Sequence, residues 1–314
     1  MLGRSANGIY WMARYLERAE NTARLLDVGF RMALTRGAQA ASEEWKSVLI
    51  TIGQDVAYRQ RFDDYAGPQV FNFILRGPDN PASVLGMLEN ARTNARAVRT
   101  ALTREAWETT NEAWMVLREM LARPVREGNL GEVIAAIRRQ TTQVRGAMEG
   151  TMLRNEIFNF SRIGTFIERA DNTARILDVK YYVLLPSLSW VGSSLDNAQW
   201  ETVLRSVAGD RAYRWLNAGR LDPRGIAQFL VLDGRFPRSL VFSYDKLASN
   251  MAGLARQYGS ETHAHELLRS ARTKLQDASI EKIIEGGLHE FITDFIAGTN
   301  QIDLAIAAEY RFIE

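Results

Sequence analysis

Apolar residues recur at helical spacing along most of the chain. On a helical wheel of residues 12–28, Met12, Tyr15, Leu16, Ala19, Ala23 and Leu26 fall on one side and make a core stripe. Glu17, Asn21 and Arg24 fall on the opposite side, one turn apart from each other, with Asp27 at the edge. Strict polar/apolar alternation of the strand type is scarce. From Ser83 to Arg123 there is no Pro and only Gly86, and Ala, Arg, Glu, Leu and Met dominate. Unbroken, that stretch predicts one helix about 60 Å long. Asn80-Pro81 supplies a cap and a first-turn proline ahead of it, and Asp222-Pro223 does the same later in the chain. Pro124 and Gly128-Asn129 mark the turn out of it. These patterns predict an all-α, multi-helix bundle of roughly ten to twelve helices.

The chain reads as if written twice. Residues 14–28, RYLERAENTARLLDV, return at 165–179 as TFIERADNTARILDV, with ten of fifteen positions identical. Downstream, Trp45, Val48, Leu49 and Ala57-Tyr58-Arg59 return as Trp200, Val203, Leu204 and Ala212-Tyr213-Arg214. Phe73, Pro81, Ser83 and Asn94 return as Phe229, Pro237, Ser239 and Asn250. The pattern predicts a tandem duplication with pseudo-two-fold symmetry, its repeats at 1–155 and 156–314. No Pro/Gly/Ser-rich linker marks the joint, so the repeats are expected to pack as one globular unit.

Length adds that the chain is long enough to bury a core without disulfide or metal staples. Cysteine is absent, which excludes thiolate nucleophiles and Cys-ligated metals. The charge is +2, from 39 basic and 37 acidic residues, so nothing demands a polyanionic partner and a nucleic-acid partner is disfavoured. No stretch approaches the roughly 18 apolar residues of a membrane span. Residues 1–7 lack an apolar signal core. A cytoplasmic protein without membrane contact is expected.

The repeated segment carries the chemistry. Glu17, Asn21, Arg24 and Asp27 return as Glu168, Asn172, Arg175 and Asp178, while parts of the apolar face exchange Leu for Ile. A solvated face would drift between two copies, so these polar groups are expected to have specific partners. One reading is structural, with Glu17 meeting Arg175 and Glu168 meeting Arg24. The other is a ligand cleft that holds a peptide-like or phosphate-bearing group. A second constellation is Arg92, Asn94, Arg96 and Arg99, followed by Glu105, Trp107, Glu108 and Asn111. Its three arginines share a helix face and call for an anion, either Glu17 or Glu20 or a ligand carboxylate. Alternatively the stripe is simply solvated.

His263 and His265 would stand about 200° apart on a helix, so both cannot ligate one metal there. They and His289 read as surface residues. No Walker A loop, no G-x-G-x-x-G after a strand and no H-E-x-x-H is present. No metal and no cofactor is expected. The apolar run at 181–186, followed by Trp190, reads as a helix end and, if exposed, a protein interface.

At these residues the chain resembles the bacterial alpha-E family. The resemblance rests on residues 10–21 with Ala23-Arg24, on Asn80-Pro81-Ala82-Ser83 and on Ala91-Arg92-Thr93-Asn94-Ala95-Arg96 with Arg99. Glu105-Ala106-Trp107-Glu108 and Ile167-Glu168-Arg169-Ala170-Asp171 complete it. The family's Glu-Arg motif maps to Glu17-Arg18 and Glu168-Arg169. The stretch from Asn155-Glu156 to Phe160 departs from the family's usual acidic, Trp-containing segment. The resemblance implies company rather than chemistry: a circularly permuted ATP-grasp ligase, and a transglutaminase-like protein from the same gene cluster. The expected role is a helical accessory or substrate-binding subunit of a peptide or amide ligase system. The rivals are a stand-alone enzyme using a Glu/Arg cleft on an amine or amide, and a tRNA- or RNA-binding helper.

Overall fold

The computed structural model describes residues 3–34, 38–182 and 194–312, and side chains there except those of 38–40, 179–182 and 194–198. Among the described residues there are fifteen α-helices, one 3-10 turn and no strand. The excess over ten to twelve comes from short helices between tight turns, which periodicity cannot resolve at five to seven residues. The chain divides into two compact units, Gly8–Ser161 and Met1–Asn7 with Arg162–Glu314. The division falls within α8, six residues past the joint expected from the repeat.

The unit Gly8–Ser161 contains most of α1 (Gly3–Leu34), then α2 (Ala38–Thr51), α3 (Asp55–Arg59), α4 (Gly67–Arg76), α5 (Val84–Ala97), α6 (Arg104–Met120) and α7 (Glu127–Thr151). Helix α5 packs on α6 and α6 on α7, while α4 bridges α2 and α5. Phe71, Ile74, Val84, Leu117 and Ile137 are buried at its core.

The helix expected to run unbroken from Ser83 is two helices. It stops at Ala97, makes a 3-10 turn over Arg99–Ala101, and restarts at Arg104. Leu102 and Thr103 are extended there, and the Thr103 hydroxyl caps α6 by accepting the Ala106 N–H. Helix formers on both sides hid this one capping threonine. The break lets α5 and α6 pack side by side on their apolar faces. The expected Asn80-Pro81 cap is also displaced. Ser83 caps α5 by accepting from Gly86, while the Asn80 amide donates to Gln54 Oε1 and to the Phe73 carbonyl.

The second unit contains most of α8 (Glu156–Tyr182), then α9 (Ser194–Ser206), α10 (Asp210–Leu216), α11 (Pro223–Leu232), α12 (Leu240–Tyr258), α13 (His263–Gln276), α14 (Ile280–Gly286) and α15 (Leu288–Glu309). Asp222 caps α11 with Pro223 in its first turn, as the sequence suggests, and Ser239 caps α12. Helix α12 packs on α13 and α13 on α15. The apolar run 181–186 and Trp190 lie outside the described side chains.

Several local devices occur in both units at matching positions. The buried Tyr58 hydroxyl donates to the Asp64 carbonyl at 2.8 Å, and the Tyr213 hydroxyl to the Asp222 carbonyl at 3.2 Å. Gly53 follows α2 with φ of 70°, and Ala208 follows α9 with φ of 56°. Helices α2 and α9 each carry one buried tryptophan, Trp45 and Trp200. Trp215 has no such shelter: it is 85% exposed at the end of α10.

Candidate functional site

Helix α1 is buried on both of its faces. Met12, Ala19, Ala23 and Leu26 form the buried apolar stripe, with Tyr15 half-buried. Glu17, Glu20 and Asn21, on other sides of the helix, are equally buried. A carboxylate cannot stay in such a place without cations and hydrogen bonds to replace water.

The cations come from Arg24 and from α7. Glu20 Oε1 accepts from Arg24 Nε at 3.0 Å and Nη2 at 2.7 Å. Glu20 Oε2 accepts from Arg145 Nη2. The same Arg145 nitrogen lies 3.7 Å from Glu17 Oε2. Arg24 and Arg145 are half-buried, while both carboxylates are fully buried. One turn further along α1, Asp27 accepts from Arg31 at 3.0 Å and faces Arg138 of α7 at 3.9 Å. Burial, and then the Arg24 charge, hold Arg138 below the ordinary arginine value.

In the second unit α8 repeats part of this chemistry. Glu168 and Arg169 are buried, and Asn172 is half-buried. Arg169 Nη1 donates to the Pro237 carbonyl at 3.3 Å, and its guanidinium lies 5.1 Å from the Phe166 ring centre. The Thr173 hydroxyl donates to the Arg238 carbonyl at 2.9 Å. Arg175 grips both oxygens of Asp171, at 2.7 and 3.1 Å. The Arg175–Asp171 pair stands where Arg24–Glu20 stands in α1.

The structure therefore brings Glu17 and Arg24 together through Glu20 and Arg145, which were not among the expected site residues. The Glu20–Arg24 spacing of four residues was a readable signal, but the Glu-to-Asp exchange at position 171 disguised it as a tolerant site. Arg145 had no signal, because only tertiary packing aims it. Arg18 is half-buried beside this network on α1.

In the second constellation, Arg92 has a polar and an aromatic partner, and Arg96 and Arg99 are exposed. Arg92 Nε donates to Asn111 Oδ1 at 2.7 Å, and its guanidinium stacks 4.2 Å over Trp114. Arg118 lies 4.7 Å from the same ring. Asn94 is half-buried, while Arg96 and Arg99 are exposed and form no ion pair among the described residues. Arg99 lies past the end of α5, so the expected three-arginine face holds only Arg92 and Arg96.

Of the histidines, His263 is exposed as expected. His265 is buried instead, because its ring completes the cap of α13. Its Nδ1 accepts the Thr262 N–H at 3.0 Å, which leaves Nε2–H to donate to the Met251 carbonyl at 2.9 Å. His289 is half-buried, with Nδ1 at 2.5 Å from Asp178 Oδ1. No group of three metal-ligating side chains occurs among the described residues. No described helix is long and apolar enough to cross a membrane.

Among known proteins, the chain is similar to an uncharacterized protein of Mycobacterium bovis, at 23% identity over 316 residues. It is similar also to two uncharacterized proteins of Mycobacterium tuberculosis, at 23% and 22% identity over the same length. Each match covers 94% of this chain but 35% of the relative, so the chain spans about a third of the length of the curated relatives it matches. No solved structure matches. Residues 1–310 match the family described as a predicted alpha-helical domain with a conserved ER motif, and the chain belongs to that family, Alpha-E.

Proposed function

We propose that the chain is a helical accessory subunit of an ATP-grasp amide ligase system, working in the cytoplasm on a peptide-like substrate. The carrying observation is its size relative to its relatives. Nearly the whole fold recurs as about one third of longer chains, which is the behaviour of a module that works beside other domains. The sequence has no nucleotide-binding motif, so the ATP and acyl-phosphate chemistry falls to the partner. A transglutaminase-like protein is a further candidate member of the system.

Glu17 and Glu20 are buried beside Arg145, with Arg24 also on Glu20. In this reading the network shapes the subunit, while Arg96 and Arg99 are available at the surface for a substrate carboxylate.

Co-expression of the tagged chain with a circularly permuted ATP-grasp protein from the same organism tests the proposal. The two are expected to co-purify, and ATP-dependent amide formation is expected to be at least roughly tenfold faster with the chain present. An Arg96→Ala/Arg99→Ala variant is expected to fold normally and to lose most of that gain. Separate elution, with no effect of the chain on ligation, rejects the proposal.

A further inference from the structure

The unit Gly8–Ser161 contains a cavity of about 360 Å³ between the end of α1, the start of α2, the loop before α4 and the start of α7. That is the size of a small organic ligand. Phe30, Trp45 and Tyr65 supply aromatic wall. The Tyr65 ring is held in place, stacked on Tyr58 and donating its hydroxyl to Asp55 Oδ1 at 2.7 Å. Arg59 grips the other oxygen of Asp55 at 3.0 Å, so Asp55 is already satisfied.

Two further observations point to a ligand. Trp45 is 4% exposed, yet its indole N–H has no hydrogen-bond partner among the described residues. The nitrogen itself is not sealed from solvent, so an acceptor in the cavity can reach it. Gly67, on the same wall, keeps that side of the ring open: a Cβ there would stand 2.8 Å from Trp45 Nε1. The second observation is charge. Asp64 and Glu127 line the cavity, and neither forms an ion pair among the described residues.

We infer that this cavity binds a small primary ammonium with a neighbouring acceptor oxygen, as in the amino end of a peptide or an amino-acid amide. The ammonium would lie between Asp64 and Glu127 and against the Phe30 and Trp45 rings, since aromatic faces attract cations and Tyr65 already carries Tyr58 and the Lys46 ammonium. The acceptor oxygen would take the Trp45 N–H. A carboxylate anion without the ammonium would be repelled by the two acids. The site stands on its own geometry, whether or not the chain serves a ligase.

The test is titration of the ¹⁵N-labelled full chain with alanyl-alanine amide, followed through the Trp45 indole N–H resonance. Saturable, millimolar binding is expected, with that resonance moving. N-acetylation of the probe removes its charge and is expected to abolish binding. Asp64→Asn/Glu127→Gln changes two surface side chains, so the fold should persist, and the Kd is expected to rise at least roughly tenfold. Gly67→Ala should close the approach to Trp45 and block the shift. Equal binding of the acetylated probe, an unchanged Kd in the Asp64→Asn/Glu127→Gln variant, or no movement of the Trp45 resonance overturns the proposal.

Discussion

Replacing Arg145 by methionine is expected to lower the stability of the unit Gly8–Ser161 by about 3 kcal/mol, the low end of the range for breaking a buried ion pair. The reason is the cluster under α7. Glu20 loses the cation on Oε2, and Glu17 loses its neighbour at 3.7 Å. Both carboxylates are buried, so water cannot replace what is removed. The effect stays at the low end because Arg24 keeps Glu20 Oε1 and because Arg145 is itself partly solvated. Urea unfolding followed by circular dichroism reads the loss. Adding Glu20→Gln to Arg145→Met should recover a substantial part of it, because the amide carries no charge to strand. A loss under about 1 kcal/mol for Arg145→Met alone would put this pair in the class of surface salt bridges.

Alkaline pH should unfold the protein steeply. Burial pushes the hydroxyls of Tyr58, Tyr213 and Tyr244 above the ordinary value of 10.0. Each is buried and donates a hydrogen bond that an ionised oxygen cannot make. Tyr58 and Tyr213 donate to backbone carbonyls. Thr299 spends its own proton on the Phe295 carbonyl, so Tyr244 is the donor in their 2.7 Å pair. These raised values mean that the folded state keeps protons the unfolded chain has already released. Their contribution is intact below pH 10 and is lost as pH climbs toward the folded values. Each strongly shifted group costs up to about 1.4 kcal/mol per pH unit in that window, so Tyr58 and Tyr244 together cost up to about 3 kcal/mol per unit, and Tyr213 acts in the same direction. Half-buried Tyr310, pushed up to about 12 by burial and then by Glu309, adds a smaller part. Urea midpoints from pH 8 to 11, with tyrosinate absorbance recorded alongside, check this. A flat midpoint above pH 10 would contradict it.

Much of the fold was readable because helical periodicity and composition agree along the chain. The capping role of Asp222 and Pro223 was visible in two adjacent letters. The break at Thr103 was not, since a single hydroxyl among good helix formers decides it. The polar positions shared by α1 and α8 drew attention to Glu17 and Glu168, both of which are buried. The wheel set them opposite the apolar stripe but did not say whether that side is buried. Helix α1 has little outside, so Glu17 and Met12 are both buried on nearly opposite faces. Arg145 and the burial of His265 depended on packing between distant segments, which no local pattern encodes.

Trp215 gives the protein an optical handle. Among the described tryptophans, Trp45 and Trp200 are buried, Trp11, Trp107 and Trp114 are half-buried, and Trp215 stands in water. Its indole emits at the red edge of the spectrum and meets a dissolved quencher before the sheltered rings do. Anything that settles over the end of α10 would shift that emission to the blue, so docking there announces itself without an added label.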